Sequence, residues 1–151
     1  MCCALIFAWL NHTHSAYGQE IQYALPDSKI PISVSSDSVA RWHSGKFEVM
    51  HLKGNIEITQ DHLTARGDEA IVWVQVPDES NDPKDSETAY RVILYLEQNA
   101  TITRGGESPS RISDDTILER LFTRSTVDLN AANKRSADQE SPVYRLSLIH
   151  I

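Results

Sequence analysis

Six histidines are the first residues in this chain to read for chemistry. His12 and His14 have the i, i+2 spacing of a metal pair, but they fall in an uncharged leader-like stretch. His43, His51 and His62 fall on different predicted strands and turns, without a carboxylate at ligand spacing, which is a poor pattern for zinc. Serine, histidine and aspartate are all present, yet no Gly-x-Ser-x-Gly elbow sets up a nucleophile. Arg104-Gly105-Gly106-Glu107 reads as a turn rather than a phosphate-cradling loop. Residues 77–88 (PDESNDPKDSET) hold five acids and one lysine. Calcium loops need a glycine bend among their carboxylates; here there is no glycine and Pro83 interrupts, so a solvated loop is expected. Trp42 and Trp73 offer stacking faces for a sugar, but core packing suits them better. The residue chemistry therefore predicts a protein that is not an enzyme and uses no cofactor or metal.

Charge narrows the partners. The formal net charge is −7, and no basic cluster offsets it. Phosphate backbones require a Lys/Arg face, so nucleic acid is not an expected partner, and an anionic membrane surface would repel the chain. Hydrophobic residues make up 40% and charged residues 23%, enough to bury one core in a chain of 151 residues. Residues 1–18 contain no Asp, Glu, Lys or Arg, and residues 2–10 form the apolar run CCALIFAWL. That run is too short to span a bilayer and fits the central region of a secretory signal, with cleavage expected after Gly18. Both cysteines, Cys2 and Cys3, lie within it, so the mature chain would have no thiol, which suits a bacterial envelope protein.

The elements that must position any site read as strands. Residues 19–36, with Pro26 and Pro31, are expected to be an extended lead-in with an edge strand at 30–35. Residues 37–43 form the first firm strand, and Ser44-Gly45 a turn. Along 47–52, Phe47, Val49 and His51 share one face and Glu48, Met50 and Leu52 the other. Lys53-Gly54-Asn55, Arg66-Gly67-Asp68 and Gln98-Asn99 are each expected to reverse the chain. Ile56 and Ile58 point inward, as do Leu63 and Ala65. Residues 70–76 are apolar on both faces, so that strand should be covered on both sides. Tyr90, Val92, Leu94 and Leu96 alternate with Arg91, Ile93 and Tyr95. Residues 105–116 read as a loop, and 117–122 (ILERLF) as a strand or a helical turn. Val127 and Leu129 share a strand face, and 131–151 is expected to be a flexible tail. Its end, LSLIHI at 146–151, looks like translated adapter read-through, which would make the chain a piece of a longer protein. The resulting fold class is all-β, an antiparallel rolled sheet centred on residues 37–130.

Two stretches repeat one plan. Met50-His-Leu-Lys-Gly-Asn-Ile-Glu-Ile-Thr59 parallels Leu94-Tyr-Leu-Glu-Gln-Asn-Ala-Thr-Ile-Thr103. Gly54-Asn55-x-x-Ile58-x-Gln60, Leu63-x-Ala65, Asp68-Glu69-Ala70 and Tyr95-Leu96-Glu97-x-Asn99-x-x-Ile102 resemble the OstA-like, LptA-like periplasmic domain of lipopolysaccharide-transport proteins, in a diverged form associated with planctomycete-type bacteria. The resemblance covers roughly residues 37–104, with Gln98 where that family usually has glycine. It implies a β-jellyroll in the periplasm, acting in lipopolysaccharide transport or outer-membrane assembly. Its partners would be lipopolysaccharide or a related glycolipid, and other OstA-like domains joined strand edge to strand edge. The lipid-binding groove it implies would be lined by Ile56, Ile58, Leu63, Ala65, Ala70, Val72, Val74, Leu94, Leu96 and Ile102. The competing reading is a structural or protein-binding β-sandwich of the envelope with a filled core.

Overall fold

The computed structural model describes residues 29–75 and 89–151. The leader at 1–18, His12 and His14, the first part of the lead-in and the acidic loop at 77–88 lie outside the described residues. The described chain is all-β apart from one short helix. Its strands are β1 (Ile32–Ser44), β2 (Phe47–Gln60), β3 (Leu63–Gln75), β4 (Tyr90–Arg104), β5 (Ser110–Thr123) and β6 (Val127–Lys134), followed by α1 (Pro142–Ser147). They form one open sheet in the order β5-β4-β3-β2-β1-β6. Neighbours are antiparallel except β6, which runs parallel to β1.

Several expectations need correction. The edge strand and the first firm strand are one element, β1. Residues 110–116, expected as a loop, and 117–122, whose pattern fits a strand or a helical turn, together with Thr123 form β5. The expected tail holds the end of β6 and helix α1, whose Val143, Tyr144 and Ser147 are buried. The expected sheet was wholly antiparallel, whereas this one is mixed. The largest correction concerns the three predicted reversals. Lys53-Gly54-Asn55, Arg66-Gly67-Asp68 and Gln98-Asn99 all lie in mid-strand, where the register shifts between every pair of antiparallel neighbours. Gly54, Asn55, Gln98 and Asn99 have φ of 75°, 45°, 60° and 54°. Two successive left-handed residues bend a strand without ending it, because pairing resumes beyond them as it does past a β-bulge. From Lys53 to Ile56, β2 advances three residues while β3 moves only two, from Glu69 to Gly67. The bulges line up across the sheet as a fold line.

At that line the sheet doubles back on itself. In a flat sheet Gln60 lies level with Ser110, through Leu63 and Arg104, so Phe122 would be about 40 Å farther along β5 at ~3.3 Å per residue. Instead the Gln60 side-chain amide donates to the Phe122 carbonyl at 2.7 Å, and the Thr123 hydroxyl donates to the Ile30 carbonyl at 2.8 Å. The linkage between β5 and β6 requires the same geometry. They occupy opposite edges of the sheet yet are joined only by residues 124–126. Five strand spacings would be about 24 Å, and so short a link reaches only about 14 Å.

Folding over creates two apolar faces. The inner one is a single cluster drawn from both sides of the fold line, including Ile32, Val34, Leu52, Ile58, Val72, Leu94 and Ile102. The outer one lies on the other side of the longer arm of the fold, which comprises residues 38–44, 47–53, 69–75, 90–97 and 116–123, and joins Trp42, Val49, Ile71, Trp73 and Tyr95 to Val143 and Tyr144 of α1. Strand β3 is thus covered on both sides, as its sequence requires. Tyr144 stacks on Trp73 at 5.4 Å and meets Trp42 edge-on at 5.1 Å. Trp73 Nε1 donates to Ser147 Oγ at 3.1 Å, and Ser141 caps the helix by accepting from the Tyr144 amide at 3.3 Å.

A Cβ on Gly54 would run into the Asp37 carboxylate as well as demand a left-handed backbone from an L residue. Gly54→Ala should lower stability by about 1–3 kcal/mol in urea unfolding, whereas Gln98→Gly should leave it unchanged or raise it by up to about 1 kcal/mol. Tyr144→Ala should cost about 3 kcal/mol by stripping the outer cluster.

Candidate functional site

The lips of the folded sheet do not close. Where β6 passes over the ends of β1–β4, a cleft of about 520 Å³ remains, with Met50, Val74, Tyr90, Val127 and Leu129 along its apolar side. Arg41, Glu48, Thr126 and Asp128 complete its lining. Each residue arrives there by strand alternation. Arg41 lies opposite Met50 and Glu48 opposite Val74, on the inner face. Val127 and Leu129 reach it because β6 pairs with Ile32 and Val34 at the far end of β1. Arg41 donates to Glu48 through Nε at 2.7 Å and through Nη2. Thr126 Oγ1 donates to Asp128 at 3.1 Å. The arrangement is amphipathic: aliphatic floor, ionic rim. It suits an apolar chain bearing a polar head.

All ten residues expected to line a groove lie on the inner face. Ile56, Ile58, Ala65, Ala70, Val72, Val74, Leu94, Leu96 and Ile102 are buried in one cluster, and Leu63, half-buried, packs against it. They meet one another across the fold. Val74 alone among them borders the mouth cleft; Ile56 and Leu63 border separate surface depressions. Of the cleft residues outside that set, Val127 and Leu129 lie beyond the stretch the resemblance covers, whereas Met50 and Tyr90 lie within it but are not among the lining positions it implies. Their alternation was readable, but the fold-over that brings 127–129 against 41–50 was not.

The outer face holds the one buried histidine–carboxylate pair among the described residues. His51 is wholly buried, and its Nε2 lies 2.6 Å from Glu69 Oε1. Sequence spacing hid this partner; register places Glu69 diagonal to His51, which sits opposite Ile71. Lys53 Nζ binds the same carboxylate at 2.9 Å, and Arg135 Nη2 donates to the His51 carbonyl at 3.1 Å. An ionised carboxylate only accepts, so Nε2 carries the proton and Nδ1, buried with no partner, is the bare acceptor. Burial holds the imidazole below its ordinary pKa of 6.5, outweighing the Glu69 hydrogen bond and charge, while Arg135 and Lys53 add to the lowering. At Glu69 burial pushes upward, but the bonds from Lys53 and His51 prevail and the pKa falls below 4.5. Tyr95, buried and bonded to Glu97 Oε1 at 2.9 Å, is pushed up to about 12. His51 has no exposed surface, and its contact with Glu69 ties β2 to β3.

Among the described residues no three His, Cys, Asp or Glu side chains converge as metal ligands, and no helix is long and apolar enough to cross a membrane. Comparison with protein-family models, curated proteins and solved structures finds no match to any of them.

His51 must stay neutral to remain buried, so its contribution is complete above its ordinary pKa and is lost as pH falls through the lowered folded value. Unfolding free energy should be flat from pH 8 to about 7, then decline on acidification below about 6.5, with Glu69 adding to the loss below about 4.5. Urea titrations across this range should show the first decline flattened in His51→Leu; an unchanged slope would remove His51 as its source.

Proposed function

We propose that this chain is a non-enzymatic domain of the bacterial envelope, of the lipopolysaccharide-transport type, which receives the acyl portion of a glycolipid at the mouth of its folded sheet and joins like domains strand edge to strand edge. The observation that carries the reading is the mouth cleft: an aliphatic floor continuous with the inner cluster, under an Arg41–Glu48 and Asp128 rim. Acyl chains leave water for such a floor while sugars and charges stay at the rim. The position of β5 and β6 as the outermost strands among the described residues supports the association, because an edge strand offers a row of backbone donors and acceptors to another chain.

One observation favours the alternative, a protein-binding sandwich. Ile58, Ala65, Ala70, Val72, Leu94 and Leu96 have no exposed surface, so the inner cluster is already filled. In the lipid reading only the lip, from Val74 to Leu129, takes ligand, and deeper entry requires β6 to lift away. Photo-crosslinking in envelope separates the two. A photoreactive residue at 129 should give a glycolipid adduct and one at 112, on the β5 edge, a protein adduct. Protein adducts at both positions with no lipid at 129 would replace the carrier reading with the sandwich.

A further inference from the structure

Ser38, Lys53, Glu69, Glu97 and Thr116 lie opposite one another in a single row, one on each of β1 to β5. An aspartate immediately precedes the row on every odd-numbered strand of this set: Asp37, Asp68 and Asp115. An asparagine follows it by two residues on both even-numbered ones: Asn55 after Lys53 and Asn99 after Glu97, each in the left-handed conformation. These groups meet across the fold line. Asn55 Nδ2 donates to Asp37 Oδ2 at 2.8 Å, and Asn99 Nδ2 donates to Asp68 Oδ2 at 2.6 Å. In both cases the aspartate is satisfied by the strand that follows its own. Strand β5 repeats the aspartate but is an edge strand, and β6 does not follow on that side. The Asp115 carboxylate is exposed and has no hydrogen-bond or ion-pair partner among the described residues; its backbone amide donates to Asp114 Oδ1 at 2.7 Å.

We propose that the β5 edge is a docking site for one further antiparallel strand that carries a left-handed asparagine two residues beyond the position opposite Thr116, with its amide bonded to Asp115. The proposal rests on the edge association suggested above and specifies its partner: a strand of the same pattern as residues 53–55 or 97–99, apolar toward the inner face. The repeat supplies the register. A strand shifted by one residue would turn its apolar side chains outward and take its asparagine out of reach of Asp115. Hydrogen bonding to a carboxylate is the stronger kind, which makes this contact selective among strands that offer only backbone.

A labelled peptide with the sequence of residues 90–104 is the probe, titrated against the full chain carrying Cys2→Ser and Cys3→Ser. Saturable binding is expected by fluorescence anisotropy. Asp115→Ala in the protein and Asn99→Ala in the peptide should each weaken it about tenfold, as loss of a bond to a charged group would. The two changes together should be no worse than either alone. With Thr116→Cys in the protein, a peptide carrying Glu97→Cys should form a disulfide and one carrying Leu96→Cys should not. Absence of binding, equal affinity in the single variants, or equal cross-linking in both registers would overturn the inference. A glycolipid adduct at position 129 would still support the carrier reading in that event, so the two stand or fall separately.

Discussion

The structure depends on a backbone constraint: long strands must bend without losing their partners. Left-handed residues are unfavourable for anything but glycine, at roughly 1–2 kcal/mol each, and this chain uses three non-glycine residues for the purpose at its fold line. Asparagine tolerates that conformation and has an amide to spare, and at both bends the amide is bonded to an aspartate on the preceding strand. The bond offsets the backbone strain and ties the bend of one strand to that of its neighbour. Without a shared line of bends the two arms of the sheet would splay, and the inner cluster would have nothing to pack against.

The bend also keeps the apolar face continuous. On β2 and β4 the inward residues stay on even numbers through the fold, from Met50 and Leu52 to Ile56 and Ile58, and from Leu94 and Leu96 to Ala100 and Ile102. On β3 they change from odd to even, Ala65 before the line and Ala70 after it; on β1 they change from even to odd, Val34 and then Val39. A strict two-residue period carried across the line on β1 or β3 would direct one arm's aliphatics outward. The extra residue on β2 and β4 and the shifted parity on their neighbours are two sides of one adjustment.

That adjustment explains what the sequence made legible. Within each arm the facing of nearly every residue follows from alternation: Ile56, Ile58, Leu63, Ala65, Ala70 and Val72 inward, Ile71 and Trp73 toward a second cover. The all-β rolled class follows too. Local signals do not distinguish a hairpin from a bulge at Lys53-Gly54-Asn55 or Gln98-Asn99, because both need the same positive φ from the same residue types; only the pairing of residues distant in sequence decides. Gln98 in place of glycine is a departure in a bulge as much as in a turn, because its φ of 60° is left-handed. Helix α1 was illegible for another reason. At six residues it is too short to have a helical periodicity of its own, and it exists through contacts with Trp42 and Trp73.

The two covers act on the sheet unequally, and this gives the mouth cleft its character. The longer arm is held from outside by the aromatic seam to α1 and by the contact of Glu69 with Lys53 and with buried His51, and from inside by the filled cluster. Strand β6 has far less. It is short, pairs only with β1 among the described residues, and contributes only partly buried Val127, Leu129 and Ala131 to the core. Local opening free energy follows buried contacts, so of all the strands β6 is the one whose displacement disturbs least. It is also the strand that roofs the cleft. A ligand entering beneath it would trade the modest contacts of Val127 and Leu129 for its own apolar contacts with Met50 and Val74, while the bends, the helix and the outer cluster stay as they are.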